Sequence, residues 1–111
     1  MEVTAKHRFA PISPSKVRPV INLIRGLSVN EALSILASTH KRAAPMIEKV
    51  LRSAMTTASL DTDVDKLYVA KAFVNDGPRR RWRLPRARGY ATPILHRMSH
   101  ITITLSDEEE E

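Results

Sequence analysis

Apolar and polar positions alternate near both ends of the chain and recur at helical spacing between them. Val3, Ala5, His7 and Phe9 alternate with Thr4, Lys6 and Arg8, which predicts a short strand closing at the breaker Pro11–Pro14. Ser13 or Ser15 then caps a first helix running to about Arg25, with Gly26 as its stop. Val17, Val20, Ile21 and Ile24 give that helix one apolar face, and Pro19 predicts that it starts late or bends. Ser28-Val-Asn-Glu31 is a capping box opening a second helix, whose buried side comprises Ala32, Leu33, Ile35 and Leu36. Residues 39–42 turn the chain into a longer third helix. There Ala43, Ile47, Val50, Leu51, Ala54 and Ala58 keep the three-to-four spacing of a core-facing stripe, and Pro45 falls in the first turn, where a missing donor costs little.

Beyond an acidic turn at Asp61, Asp63 and Asp65 the period drops to two. Leu67, Val69 and Phe73 occupy one face, and Tyr68, Ala70, Ala72 and Val74 the other. Ile101, Ile103 and Leu105, alternating with Thr102 and Thr104, form a matching strand. Pairing the two antiparallel with Val74 opposite Met98 puts the midpoint at residue 86, so residues 85–89 form the tip of a long hairpin. About 12 residues per arm project it on the order of 40 Å beyond the sheet. These elements make an α+β domain spanning 1–106, with 77–98 as an extended arm and 107–111 as a disordered acidic tail.

Composition changes the picture at the arm. The segment 77–100 holds seven Arg, no Lys and no acid, together with Trp82, the only tryptophan, and Tyr90. Residues 1–106 carry 18 basic against seven acidic side chains, and the remaining five acids lie in the tail. Such a surface attracts polyanions, nucleic acid first and anionic membrane second. Apolar content of 42% is that of a folded chain. With no cysteine, disulfides, thiol catalysis and Cys-ligated zinc are excluded. No stretch approaches 18 apolar residues and the first ten lack a signal-peptide run, which together predict a soluble intracellular protein.

Two strands projecting alone in water are marginal, and seven arginines repel one another. The arm therefore draws its counter-charge from elsewhere. A guanidinium binds phosphate in bidentate fashion and stacks on bases, where an ammonium is a point charge, so the Arg-only usage favours RNA. Trp82 and Tyr90 add about 1–3 kcal/mol each if they stack on bases. The bland alternative is a solvated basic loop with both rings tucked onto the domain. Three further readings compete. His96 and His100 suggest a ribonuclease, but four residues along a strand separates them by some 13 Å, too far to flank one phosphate. An Arg hairpin in a minor groove suggests a duplex-DNA architectural protein. The Asp61–Asp65 turn suggests calcium, but lacks the glycine and glutamate of such loops, so no metal site is expected. The acidic tail either solubilises the chain or shields its basic face.

The residues also match a known family over nearly the whole length. The pieces are Ala5-Lys6-His7-Arg8, Ser15-Lys16-Val17-Arg18, Ile24-Arg25-Gly26, Glu31-Ala32-Leu33, Lys41-Arg42-Ala43-Ala44, Ser53-Ala54, Gly77-Pro78, Pro85-Arg86-Ala87-Arg88-Gly89 and Ser99-His100-Ile101-Thr102. In that order and spacing the chain resembles the bacterial large-subunit ribosomal protein L-twenty-two family.

The resemblance implies three helices packed on a three-stranded antiparallel sheet with a long protruding β-hairpin. It further implies a cytoplasmic, ribosome-bound structural protein without catalysis or cofactors, supporting assembly. Its partners would be large-subunit ribosomal RNA, other large-subunit proteins and the nascent peptide, with no membrane and no small-molecule substrate, though macrolides bind nearby in that family. Lys6, His7, Arg8, Ser15, Lys16, Arg18, Arg25, Lys41, Arg42, Arg79, Arg80, Arg81, Trp82, Arg83, Arg86, Arg88, Arg97, Ser99 and His100 are the expected RNA-binding residues. Arg86, Arg88, Gly89, Tyr90 and Ala91 are expected at the peptide exit tunnel wall. The chain departs from the family pattern at Trp82 and Tyr90, where a basic residue is usual, so the tip should be less charged and more aromatic. It departs also at Thr57 and Asp61, where Asn is usual, and at Pro19 and Pro45.

Overall fold

A computed structural model describes residues 2–60, 62–77, 80–85, 91–96 and 98–107, with the backbone alone for 80–85 and 91–96. The order is β1 (Glu2–Ala10), α1 (Pro14–Ile24), α2 (Val29–Ser38), α3 (Ala43–Ala58), a 3-10 turn (Val64–Lys66), β2 (Tyr68–Asp76), β3 (Arg80–Pro85), β4 (Ala91–His96) and β5 (Ser99–Ser106). β5 lies between β1 and β2 in an antiparallel three-stranded sheet, while β3 and β4 pair with each other in a second sheet. The expected α+β architecture is therefore present, and the chain measures 62 × 24 × 24 Å.

The core lies between one face of the three-stranded sheet and the helices. Ile101, Ile103 and Leu105 of β5 are fully buried there, with Val69 of β2 and with Ile21, Ile24, Ile47 and Leu51 of the helices. Every member of the predicted α3 stripe is buried. In α2 the stripe is narrower: Leu36 and Ala32 are buried with Val29, but Leu33 and Ile35 only pack against the core's margin. Ser28 caps α2 as read, its hydroxyl accepting from the Glu31 N–H at 3.3 Å.

Helix α1 begins at Pro14, so Pro19 does not delay it. Pro14 presets φ at the first helical position, and burial of Val17, Val20, Ile21 and Ile24 offsets the donor that Pro19 lacks. The carbonyl left without that donor belongs to Ser15, an exposed residue of the first turn. At the other end Gly26 adopts φ +82°, a left-handed stop open to glycine at little cost. Its N–H donates to the Val69 carbonyl at 2.9 Å, and the Val69 N–H donates back to Leu27 at 2.8 Å, tying the helix end to β2.

β2 corrects the two-face assignment made from the sequence. Val69 pairs with Leu105, but the next partner of the following β5 residue, Thr104, is Lys71. One extra residue is accommodated between them, and each side chain beyond it changes face. Val69, Ala72 and Val74 consequently share the buried face, and Phe73, expected beside Val69, stands 40% exposed on the other. Strict alternation cannot reveal a bulge, because Ala70 fits either face.

The register of the arm also differs from the expectation. Val74 pairs with Ile101, and it is Gly77 that meets Met98, its N–H donating to the Met98 carbonyl at 2.8 Å. A Cβ on Gly77 would stand 3.0 Å from the C, O and Cβ atoms of Met98, so a larger residue there would push Met98 aside by a few tenths of an ångström. Beyond it Arg80 pairs with His96 and Pro85 with Ala91. That register is centred two residues later than expected, and the expected tip residues 86–89 lie outside the described ones.

Candidate nucleic-acid interface

Edge strand β1 and helices α1 and α3 place six of the domain's cations around two clefts. The first, of about 320 Å³, is lined by Ile12, Ser15, Lys16, Pro19, Lys41, Arg42 and Ala43, where the first turns of α1 and α3 approach each other. The second, of about 220 Å³, lies between β1 and the middle of α3 and is lined by Lys6, His7, Arg8, Lys49, Val50 and Ser53. Along α3 the two are on the order of 10 Å apart at 1.5 Å per residue. Neither cleft has an acidic lining residue. Glu48, the nearest carboxylate in sequence on α3, is engaged with Arg52 at 2.9 Å.

The expected RNA-binding residues of the domain thus come together in two groups: Lys6, His7 and Arg8 in one cleft, Ser15 and Lys16 with Lys41 and Arg42 in the other. Arg18 is exposed on α1. Arg42 also donates to the Pro11 carbonyl at 3.2 Å, which holds it across the β1–α1 connection. Arg25 spends two of its five donors on the Ala72 carbonyl, through Nε at 3.1 Å and Nη2 at 2.5 Å. Lys49 and Ser53 were not expected. They lie four apart on α3, a spacing that places them on one helical face and could have singled them out.

Ser99 is corrected. It is fully buried, and its hydroxyl donates to the Ile12 carbonyl at 2.6 Å, so it anchors the β1–α1 connection to β5 from within rather than facing a ligand. Its Ser-His-Ile-Thr context reads as surface only if the strand is an edge, and β5 is central.

His100 shapes the base of the arm. His7 pairs with Ile101 and Ala10 with Ser99, leaving Arg8 and Phe9 together opposite His100. Phe9 takes φ +59° in this bulge, unusual for an aromatic residue and costing on the order of 1–3 kcal/mol. Its N–H donates to His100 Nδ1 at 3.1 Å, and the rings meet edge to face with centroids 5.0 Å apart. With Nδ1 accepting, the imidazole proton sits on Nε2. His7 is the opposite case: its Nδ1 is buried without a hydrogen-bond partner, a state costing about 1–3 kcal/mol.

The side chains of Arg80, Arg81, Trp82, Arg83 and Ala91 lie on β3 and β4, of which the backbone alone is described. Arg79, Arg86, Arg88, Gly89, Tyr90 and Arg97 lie outside the described residues, as do Asp61 and most of the acidic tail. Acidic side chains gather elsewhere: Asp63 caps the 3-10 turn, accepting from the Asp65 N–H, and Asp65 accepts from Asn30 at 3.1 Å beside Glu31 of α2. Among the described residues no three His, Asp or Glu side chains form a group that could hold a metal, and no helix is long and apolar enough to cross a membrane.

The fold, the basic clefts and the separate two-stranded arm agree with a comparison to protein families: the model for Ribosomal protein L22p/L17e matches residues 5–106. That span takes in both clefts, all the helices and the whole arm. The chain therefore belongs to the ribosomal protein L22p/L17e family, structural RNA-binding proteins of the large ribosomal subunit.

Proposed function

We propose that this protein supports assembly of the large subunit by holding RNA segments together, its domain on one and its arm among others. In this reading the hairpin tip, with Arg86, Arg88, Gly89, Tyr90 and Ala91, lines the peptide exit tunnel and meets the nascent chain. The observation that carries it is the arm itself. Residues 77–100 hold seven arginines without one acid, and their strands pair outside the domain sheet. A two-stranded ribbon of that charge gains stability from phosphates lying along it.

Purified protein is expected to bind large-subunit RNA in preference to AT-rich duplex DNA, with log affinity falling linearly as log salt rises. Filter binding across a salt series, with the DNA as competitor, measures both. A flat salt response, or equal competition, sinks the RNA reading. The tunnel assignment has a separate check. Tyr90→Arg is expected to alter macrolide sensitivity or nascent-chain stalling while subunits still form. Failure of those subunits to assemble would place Tyr90 in the RNA-packed shaft instead of at the lumen.

A further inference from the structure

We infer that the open face of the three-stranded sheet holds single-stranded RNA, with Phe9 and Phe73 each stacked on a base and Lys6 and Lys71 on its phosphates; this rests on the RNA-binding reading above. The helices all pack on the side of the sheet that buries Ile101, Ile103 and Leu105. On the other side β5 presents His100, Thr102, Thr104 and Ser106. Strand pairing sets Lys6 and Phe73 to the left and right of Thr102, and Thr4 and Lys71 likewise beside Thr104.

A sheet face that meets only water carries polar side chains, and the threonines and lysines here conform. The two phenylalanines do not. Phe73 and Phe9 are both exposed, on edge strands where a bare aromatic ring invites association. Phe9 moreover holds φ +59°, a conformation bulky residues seldom take and one that burial does not offset here. The bond from its N–H to His100 Nδ1 and the edge-to-face contact of the two rings fix the Phe9 ring before any ligand arrives. A strained, oriented and exposed ring points to a partner that stacks on it.

Charge on this side favours nucleic acid as that partner. Lys6 and Lys71 are exposed, and Glu2, the one carboxylate at an outward position of the three strands, pairs with Ser106 at the end remote from the rings. Sheet surfaces hold single strands in this way, aromatic rings taking the base faces and cations the backbone. Phe9 and Phe73 stand on the two outer strands, their Cα atoms on the order of 12 Å apart by strand spacing and rise, so each takes a base of its own.

Phe9 and Phe73 are the only phenylalanines in the chain, so fluorinated phenylalanine reports on these two rings and nothing else. Full-length protein carrying para-fluorophenylalanine is titrated with a short single-stranded RNA of mixed sequence and, separately, with an abasic strand of the same length. Phe9→Leu assigns the two fluorine resonances. Both are expected to move upfield with the RNA, because a stacked base shields the ring, and to stay in place with the abasic strand. RNA binding with both resonances unmoved, or equal movement with the abasic strand, overturns the inference and leaves the RNA-binding reading intact. Movement with an acidic peptide but not with RNA makes this a protein-docking face and overturns it too. Absence of any RNA binding overturns both readings.

Variants separate the two kinds of contact. Phe73→Leu keeps the side chain apolar and removes the ring. Its affinity for the RNA strand is expected to fall roughly fivefold or more, with the salt slope unchanged because a neutral ring releases no counterion, while Phe73→Tyr retains the affinity. Lys71→Gln is expected to reduce the slope by about 0.7. Undiminished affinity in Phe73→Leu, or an unchanged slope in Lys71→Gln, overturns the arrangement.

Discussion

Truncating Ile103 to alanine is expected to lower the unfolding free energy by about 2–5 kcal/mol, toward the upper end of that range. Ile103 is fully buried on the central strand, and its partners on both sides are alanines, Ala5 on β1 and Ala72 on β2. Two methyl-sized neighbours cannot swing into the space a truncated isoleucine leaves, so the hole persists and the atoms lining it face a void. Ile101 and Leu105 stand differently, flanked by His7 and Val74 and by Val3 and Val69, which have more side chain to relax with. Urea denaturation measures the difference: the midpoint of Ile103→Ala should fall with the slope preserved, and by more than that of Leu105→Ala. A loss below about 1 kcal/mol would mean that this layer collapses freely, contrary to the packing described. Against the roughly 5–15 kcal/mol by which domains are ordinarily stable, the expected loss is a large share.

The second large effect concerns binding and leaves stability alone. Replacing Arg79, Arg80 and Arg81 together by glutamine is expected to reduce the slope of log affinity against log salt by roughly 2–3, at about 0.7–0.9 for each phosphate no longer neutralised. Incorporation into large subunits should fall accordingly, read as the share of the protein sedimenting with them. Because β3 and β4 form a sheet of their own, apart from the buried core cluster, the urea midpoint should stay near that of the parent chain. A variant that kept its salt slope would show that these arginines face water and that the arm is held by other means. One that lost its slope together with its folded state would instead make the ribbon part of the domain.

Much of the domain was legible in the sequence because its elements obey one period each. The α3 stripe, the capping box at Ser28 and the alternation from Ile101 to Leu105 are short-range patterns, and each has one buried solution. What escaped reading depends on pairing between distant residues. The bulge opposite Thr104 left no mark in residues 69–71, yet it turned Phe73 outward and moved the hairpin register. Ser99 looked like a surface hydroxyl until its strand proved to be the middle one. The candidate interface followed the same division. Its cations were legible from charge and from family resemblance, whereas the alignment of Lys49 and Ser53 with His7 exists only once α3 lies against β1.

The Gly77–Met98 crossing has a mechanical consequence. β3 from Arg80 to Pro85 is roughly 17 Å of extended chain, so a swing of about 10° at its base carries its far end about 3 Å sideways. A displacement of tenths of an ångström near the crossing thus becomes, as with a lever, a misalignment of about one base step at the far end. Aim, rather than strength, is what a methyl group at this position would take away.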